Sequence, residues 1–511
     1  MHPREIAARD SAKPAIVMAP SGAMVTYGKL VDRSNRAGEL FRSLGLQPGD
    51  GIAICMENHE RYFELCWGAH DSGLYYTPIS SRLRPSEVAY IVGDCNARVL
   101  VMSHALAEIA SGLPGELLER IHCFMIDGTI EGFRPYEAAL ARMSGTPGAA
   151  AVQGAAMVYS SGTTGLPKGI EPPSLGLAID QPTPLTSKLI ELYGFDERTV
   201  YLSTAPLYHA APLKFNSVVL ATGGTTVILQ KFDAELALAS IERYRVTHSQ
   251  WVPTMFIRIL NLPEETRRRY DLSSQQVAIH AAAPCPPEVK ERMLGWWGPV
   301  VYEYYSGSES VGMCAIGPRE WLSHRGSVGK AVRGEMHILD EQGRALPPGE
   351  PGLVYFANAG QVQYHNDPEK TARAHNDRGW ATIGDIGYVD AEGYLYLTDR
   401  RDYVIISGGV NIYPQEAESL LSLHPKVADV AVFGVPNQEF GEEVKAVVQP
   451  HSMADAGPAL EQELIQYCRG QLSSIKCPKS VDFSAALPRE PTGKLLKKKI
   501  RERYWPSGAR K

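Results

Sequence analysis

The sequence predicts a layered α/β protein with a β-rich unit late in a large N-terminal domain and a small α+β domain at the C-terminal end. Three observations carry that expectation. Through about the first 300 residues, short β-branched runs alternate with helix-like segments. From about Gly326, apolar and polar residues alternate between turn signals, and beyond residue 402 comes a βαββαβ order. Alternating strand and helix patterns mark layers with a largely parallel sheet, whereas period-two runs joined by tight turns mark hairpins.

In chain order, "DGIAICM" (50–56) reads as a strand, "HERYFELCWGAHDSG" (59–73) as a helix and "ARVLVMS" (97–103) as another strand. "MVYSSGTTGLPKGI" (157–170) is different. Its apolar run ends at Tyr159, and Ser160, Ser161, Thr163 and Thr164 follow, with Gly162, Gly165 and Gly169 around Pro167-Lys168. Backbone N–H groups, small hydroxyls and a lysine are the parts of a phosphate loop. This is no Walker A loop, which needs a Gly-Lys-Ser/Thr ending that opens a helix. Lys168 is followed by "GIEPPS", whose prolines discourage one. Composition alone is equally served by a Ser/Thr/Gly connector. Strand "GGTTVIL" (223–229), helix "DAELALASIERY" (233–244) and strand "VTHSQWVP" (246–253) continue the alternation.

The texture then changes. "EMHILDEQGRALPPGEPGLVYFA" (335–357) and "GWATIGDIGYVDAEGYLYLTD" (379–399) read as hairpins turning at "DEQG" and "DAEG". Residues 325–399 are therefore read as a β-rich subdomain of a domain covering 1–399. "DRRD" (399–402) marks a second break, and 403–511 form the C-terminal domain. Its order is "YVIISG", helix "PQEAESLLSLH" with Pro414 in the first turn, "ADVAVFGV", "EVKAVVQ", helix "ALEQELIQYCRGQL" and "SVDFSAAL".

Composition excludes several classes. Apolar residues make up 44% and charged residues 21%, as in ordinary globular chains. A net charge of −6 argues against a nucleic-acid partner. The eight cysteines show no C-x-x-C pair, which reads as reduced thiols rather than a disulfide framework. The polar start, "MHPREIAARDSAKP", lacks a signal-peptide core, and no window approaches the roughly 20 apolar residues of a membrane span. A cytoplasmic location without integral membrane association is expected.

"YSSGTTGLPKG" (159–169) closely resembles the signature of the adenylate-forming superfamily, which includes acyl-CoA synthetases, peptide-synthetase adenylation domains and luciferases. Further segments resemble other motifs of that family, in order: "STAPLYHAAPL" (203–213), "HAAAPCPPEV" (280–289), "EYYSGSES" (303–310), "GWATIGDIGYVDAEGYLYLTDR" (379–400), "DYVIISGGVNIYPQEAE" (402–418) and "PREPTGKLLKK" (488–498). The likeness covers nearly the whole chain, and several ordered motifs are far more specific than one. It implies the adenylate-forming enzyme fold, with a small β-barrel-like unit and a mobile C-terminal domain.

The resemblance also implies roles. Ser160, Ser161, Gly162, Thr163, Thr164, Gly165 and Lys168 would hold the β- and γ-phosphates of ATP. Ala282, Ala283 and Pro284 would wall the adenine, with Tyr304, Tyr305, Ser306, Gly307 and Ser308 beside the nucleotide. Glu309 would hold Mg2+, a hard cation suited to carboxylate and phosphate oxygens. Asp385 and Arg400 alone could be a turn carboxylate and a surface cation. Within the motif set they suit the ribose diol, one accepting and the other donating hydrogen bonds. His209, otherwise an ordinary structural histidine, takes the gating aromatic position between nucleotide and acyl sites. Tyr208, Trp251, Thr254, Met255 and Ala281 would line the acyl pocket. Lys494 would bridge the acyl carboxylate and the α-phosphate. Residues 400–402 would form the hinge, centred on Asp402, and Ser407, Gly408 and Gly409 the CoA channel. Three features depart from the family pattern. Ser308 stands where threonine is usual and Ser306 where glycine is usual, while "EPPSLGLAIDQPTP" does not run directly into a helix.

The activity implied is that of an ATP-dependent acyl-CoA synthetase using ATP, Mg2+ and coenzyme A on a lipophilic small-molecule carboxylic acid. A stand-alone adenylating enzyme serving a carrier protein, and a non-catalytic nucleotide or acyl binder on the same fold, remain as alternatives.

Overall fold

Strand Gly51–Cys55 is buried at every position, as expected of a continuous apolar run with a strand on either side and helices over its faces. Its parallel neighbours are Tyr75–Ile79 and Ala97–Ser103, and His122–Ile126 extends the same sheet. The computed structural model describes residues 1–148, 150–160, 167–173, 175–360, 362–408, 410–489 and 495–505. They divide into two units. The first comprises Met1–Trp251, Arg258–Ile279 and Gln361–Arg373, the second Val252–Ile257, His280–Gly360 and Ala374–Lys511.

In the first unit a second sheet places Pro14–Ala19 between Thr225–Leu229 (parallel) and Met24–Thr26 (antiparallel), with Val200–Ser203 and His248–Trp251 beyond. Helices Tyr27–Ser43 and Tyr62–His70 pack closely because Gly38 and Gly68 face each other's backbones. A Cβ on Gly68 would lie 2.8 Å from the Ser34 carbonyl oxygen. Helix Ala234–Tyr244 starts where "DAEL" predicts, with Asp233 accepting from the Leu236 N–H at 2.8 Å. The N-terminal helix Pro3–Arg9 is tied down by Asp71, which accepts from His2 at 2.8 Å and from Arg4 at 2.6 Å.

The second unit is richer in antiparallel pairing. Glu335–Leu339, Gly352–Ala357, Asp385–Val389 and Leu395–Arg400 form the four-stranded sheet expected from the two hairpin patterns. Farther on, Val427–Asn437 and Gly441–Pro450 make a long hairpin, with Ser480–Phe483 parallel to the latter. Helices Pro414–Leu421 and Pro458–Arg469 complete the βαββαβ order. One element goes beyond the sequence reading: Ile405–Ser407 pairs with Val410–Ile412. Each arm is three residues long, too short for an alternation pattern to register.

All eight cysteines are free, and seven are buried. Burial raises the pKa of every one, pushing Cys95 and Cys123 up to about 11 and Cys55 and Cys468 to about 12. Among the described residues, no helix is long and apolar enough to cross a membrane.

Candidate functional site

In the first unit, strands Val158–Ser160 and Lys168–Ile170 pair antiparallel, with Ser160 opposite Lys168. The hydroxyl of one and the ammonium of the other thus stand at the two ends of the intervening loop. Ser161, Gly162, Thr163, Thr164 and Gly165 lie outside the described residues. The Lys168 Nζ is 2.9 Å from Asp367. That contact is the main cause that holds the Asp367 carboxyl below its ordinary range and raises the lysine. Around this hairpin Tyr159 donates to Asp94 at 2.6 Å, and His365 meets Glu171 at 2.6 Å and the Asp94 carbonyl at 2.8 Å. A Cβ on Gly169 would crowd the Tyr159 ring at 3.0 Å. Asp367 was not singled out from sequence. Its signal lay in "YHNDPEKT", where it accepts from the Lys370 N–H at the start of helix Pro368–Arg373.

His209 is the N-cap of helix Ala210–Thr222, and its ring centroid lies 4.7 Å from that of Tyr208. Tyr208 is buried. Its phenol is raised by burial, against the hydroxyls of Ser80 and Ser81. Trp251 is 1% exposed, and its Nε1 donates to Ser249 Oγ at 2.6 Å. Thr254 and Met255 belong to the second unit, in the first turn of helix Pro253–Leu260, and Met255 is buried.

The second unit assembles the residues expected around the nucleoside. Asp385 and Arg400 are direct cross-strand partners. The Arg400 Nε lies 3.1 Å from Asp385 Oδ1, while Tyr305 donates its hydroxyl to Asp385 Oδ2 at 2.7 Å. Burial opposes the Arg400 charge, but Asp385, Tyr403 and Glu309 together raise its pKa. Burial, followed by the Asp385 charge, pushes the Tyr305 phenol well up. Glu309 folds back over Gly307, where a Cβ would meet its Oε2 at 2.9 Å. A carboxylate is an oxygen-only donor of the kind Mg2+ takes, so Glu309 suits that ion. Ser306, the unusual residue, turns its hydroxyl onto the Gly312 carbonyl at 2.7 Å, which accommodates the added side chain. Tyr304 is half-buried and Ser308 exposed.

Ala281 is buried, Ala282 and Pro284 are exposed, and Ala283 is half-buried. Ala282 adopts φ 75°, a left-handed conformation uncommon outside glycine. Beneath this turn is a charge cluster not anticipated from sequence. Lys290 and His280 are fully buried, and their side-chain nitrogens lie 2.6 Å and 3.4 Å from Glu303. The Lys290 ammonium also sits 4.7 Å from the Trp321 ring centroid. The group holds the start of segment 281–284 and the strand feeding 304–308. The available signal was a lysine inside the apolar helical pattern "PEVKERML".

Arg400 leads into the short turn Arg401–Tyr403, where the Arg401 N–H donates to the Gly384 carbonyl at 2.9 Å. Asp402 lies in that turn, and its side chain is outside the described set. Ser407 pairs with Val410, and Gly408 adopts φ 56° and donates to the Phe440 carbonyl at 2.8 Å. Gly409 and Lys494 lie outside the described residues. The flanks of the Lys494 segment are held firmly: Leu496 N–H donates to the Pro488 carbonyl at 2.9 Å, and Arg489 pairs with Asp429. The buried Lys497 lies 2.8 Å from Glu418.

Residues 3–363 match the AMP-binding enzyme family and residues 416–494 the AMP-binding enzyme C-terminal domain. The chain belongs to the AMP-binding enzyme family and has its adenylate-forming fold. It is an AMP-forming acid–thiol ligase. A feruloyl-CoA synthase from Amycolatopsis sp is 32% identical over 487 residues, covering 94% of each chain. The fatty acid–[acyl-carrier-protein] ligase ScoC from Streptomyces coeruleorubidus is 29% identical over 98% of this chain and 95% of its own. ATP-bound MatB from Rhodopseudomonas palustris superposes with a TM-score of 0.83 at 28% identity, over 99% of both chains.

Proposed function

We propose that the chain activates a lipophilic carboxylic acid as an acyl adenylate, releasing pyrophosphate, and then passes the acyl group to CoA, releasing AMP. The observation that carries this reading is the Asp385–Arg400 pair with Tyr305 behind it and Glu309 beside the guanidinium. An acceptor and a donor side by side suit a ribose diol. The cytoplasm is the proposed location.

A carboxylate is a poor acyl donor because oxide would have to leave. Its attack on the α-phosphate brings two anions together, so neutralisation and in-line positioning dominate catalysis. Transfer of this type asks little covalent help from the protein, and no nucleophile triad is required. Lys168 and the 160–165 hydroxyls and N–H groups take the β- and γ-phosphates. Glu309 would hold Mg2+, which when bound supplies charge neutralisation on phosphate oxygens. His209 borders the acyl carboxylate, and Lys494 bridges it to the α-phosphate. Asp402 is the proposed hinge between 1–399 and 403–511. Rotation there withdraws Lys494 and brings 407–409 to the thiol.

A pyrophosphate-release screen over short, long, aromatic and polycyclic acids tests the first half-reaction. Acid-dependent release is expected, and silence with every acid would leave a non-catalytic binder. Offering CoA against a phosphopantetheinylated carrier protein tests the second. The likeness to ScoC favours carrier loading as the alternative.

A further inference from the structure

Glu309 sits inside a tight turn. The Ser310 N–H donates to the Gly307 carbonyl at 3.0 Å, which puts Ser308 and Glu309 at the two central positions. The Glu309 carboxylate lies back over Gly307, so its placement depends on how firmly residues 307 and 310 are held together. The residue that closes the turn is itself in an uncommon state. Ser310 has φ 54°, in the left-handed region that residues other than glycine rarely enter. A residue held there persists only where its surroundings fix it.

Two side chains fix it. Ser306 Oγ donates to the Gly312 carbonyl at 2.7 Å, and Arg333 Nη1 donates to the Ser310 carbonyl at 2.9 Å. Ser310 is therefore gripped at both ends, its N–H by Gly307 and its carbonyl by Arg333. Arg333 ends strand Lys330–Arg333 and stands opposite Met313, so its side chain springs from paired backbone. Its Nη2 donates to the Ala359 carbonyl, and Gly360 leaves room beside it, since a Cβ there would lie 3.4 Å away. A planar fork spanning two carbonyls from separate segments is a task for arginine rather than lysine. The scaffold alone does not call for a charge here. Arg333 is half-buried, and among the described residues no carboxylate pairs with it. An ion kept without a counter-ion carries a desolvation cost. What it gains is a grip on the carbonyl of the residue after Glu309.

We infer that Arg333 is a positioning residue for Glu309: by bridging the Ser310 and Ala359 carbonyls it fixes the turn that presents the proposed Mg2+ carboxylate. This rests on the adenylating function and on the metal role of Glu309. Arg333 acts through the backbone of the turn. The nucleoside side is braced separately, by the Tyr305 hydroxyl on Asp385 and by Arg400. Loss of Arg333 should therefore weaken the metal-dependent part of nucleotide binding and spare the part that AMP reads.

Calorimetry on the full chain tests this with two probes: AMP in EDTA, and a non-hydrolysable ATP analogue with and without Mg2+. The gain in analogue affinity on adding Mg2+ is the quantity read. Arg333→Met is expected to cut that gain about tenfold while AMP affinity stays within about twofold of the wild type. Arg333→Lys keeps the charge and one donor and should lie between; it carries the comparison alone should Arg333→Met not fold. Glu309→Gln should cut the gain at least as far, and Arg333→Met/Glu309→Gln no further than Glu309→Gln, because one residue acts through the other. AMP affinity falling in step with the analogue would make Arg333 a scaffold residue and overturn the assignment, as would additive losses in the double variant. An undiminished gain in Glu309→Gln would remove the metal role of Glu309, and this inference with it. The adenylating reading falls separately, on silence in the pyrophosphate-release screen.

Discussion

Tyr305 shows how much a single side chain carries. Its hydroxyl fixes one Asp385 oxygen while Arg400 meets the other. Tyr305→Phe removes a hydrogen bond to a charged group, about 1.5–3 kcal/mol. The expected result is KM for ATP raised on the order of tenfold with kcat less affected, read from initial rates at varied nucleotide. An unchanged KM would detach Tyr305 from the nucleoside. At this scale legibility was uneven, for a physical reason. Asp385 and Arg400 stood out because both fall in one segment of the family resemblance, and a local hairpin makes them cross-strand partners. Asp367 and Lys290 did not, since their meaning depends on the partner each meets in space. Ser306 stood out as a departure from pattern, and only its bond to the Gly312 carbonyl explains how the fold accepts it.

Among elements, the long ones declared themselves. Helix Ala234–Tyr244 was bounded by its cap, and strand Ala97–Ser103 by its β-branched run. The hairpin Ile405–Ser407 with Val410–Ile412 was not, because its pairing is fixed by Gly441 and Phe440 from elsewhere in the chain. Lys497, Lys498 and Lys499 ride helix Lys497–Arg501, and sequence did not reveal that Lys497 points inward. Glu418 accepts from both Lys497 and the Val432 N–H, joining three elements at one buried point. Lys497→Met strands that carboxylate and should cost roughly 3–5 kcal/mol. The double variant Lys497→Met/Glu418→Gln should recover much of the loss. Denaturant titration of the full chain measures both, and equal destabilisation of the single and double variants would contradict the pairing.

For the molecule as a whole, the proposed hinge predicts separable half-reactions. Asp402→Pro restricts the backbone of the turn after Arg400. It should preserve pyrophosphate release while slowing thioester formation by at least tenfold, measured with a supplied acyl adenylate. Equal effects on both steps would relocate the hinge. The buried cysteines bear on the same chemistry. An acyl adenylate is an electrophile, and an enzyme that makes one to meet a thiol keeps eight thiols of its own. Thiolates are the reactive form, and burial holds all eight protonated. Raised thiol pKa values predict slow reaction of these cysteines with the adenylate. Intact mass after incubation with acid and ATP, but no CoA, should show no acyl adduct on cysteine. On that expectation the activated acid waits for a guest sulfur, the resident ones being held in their less reactive form.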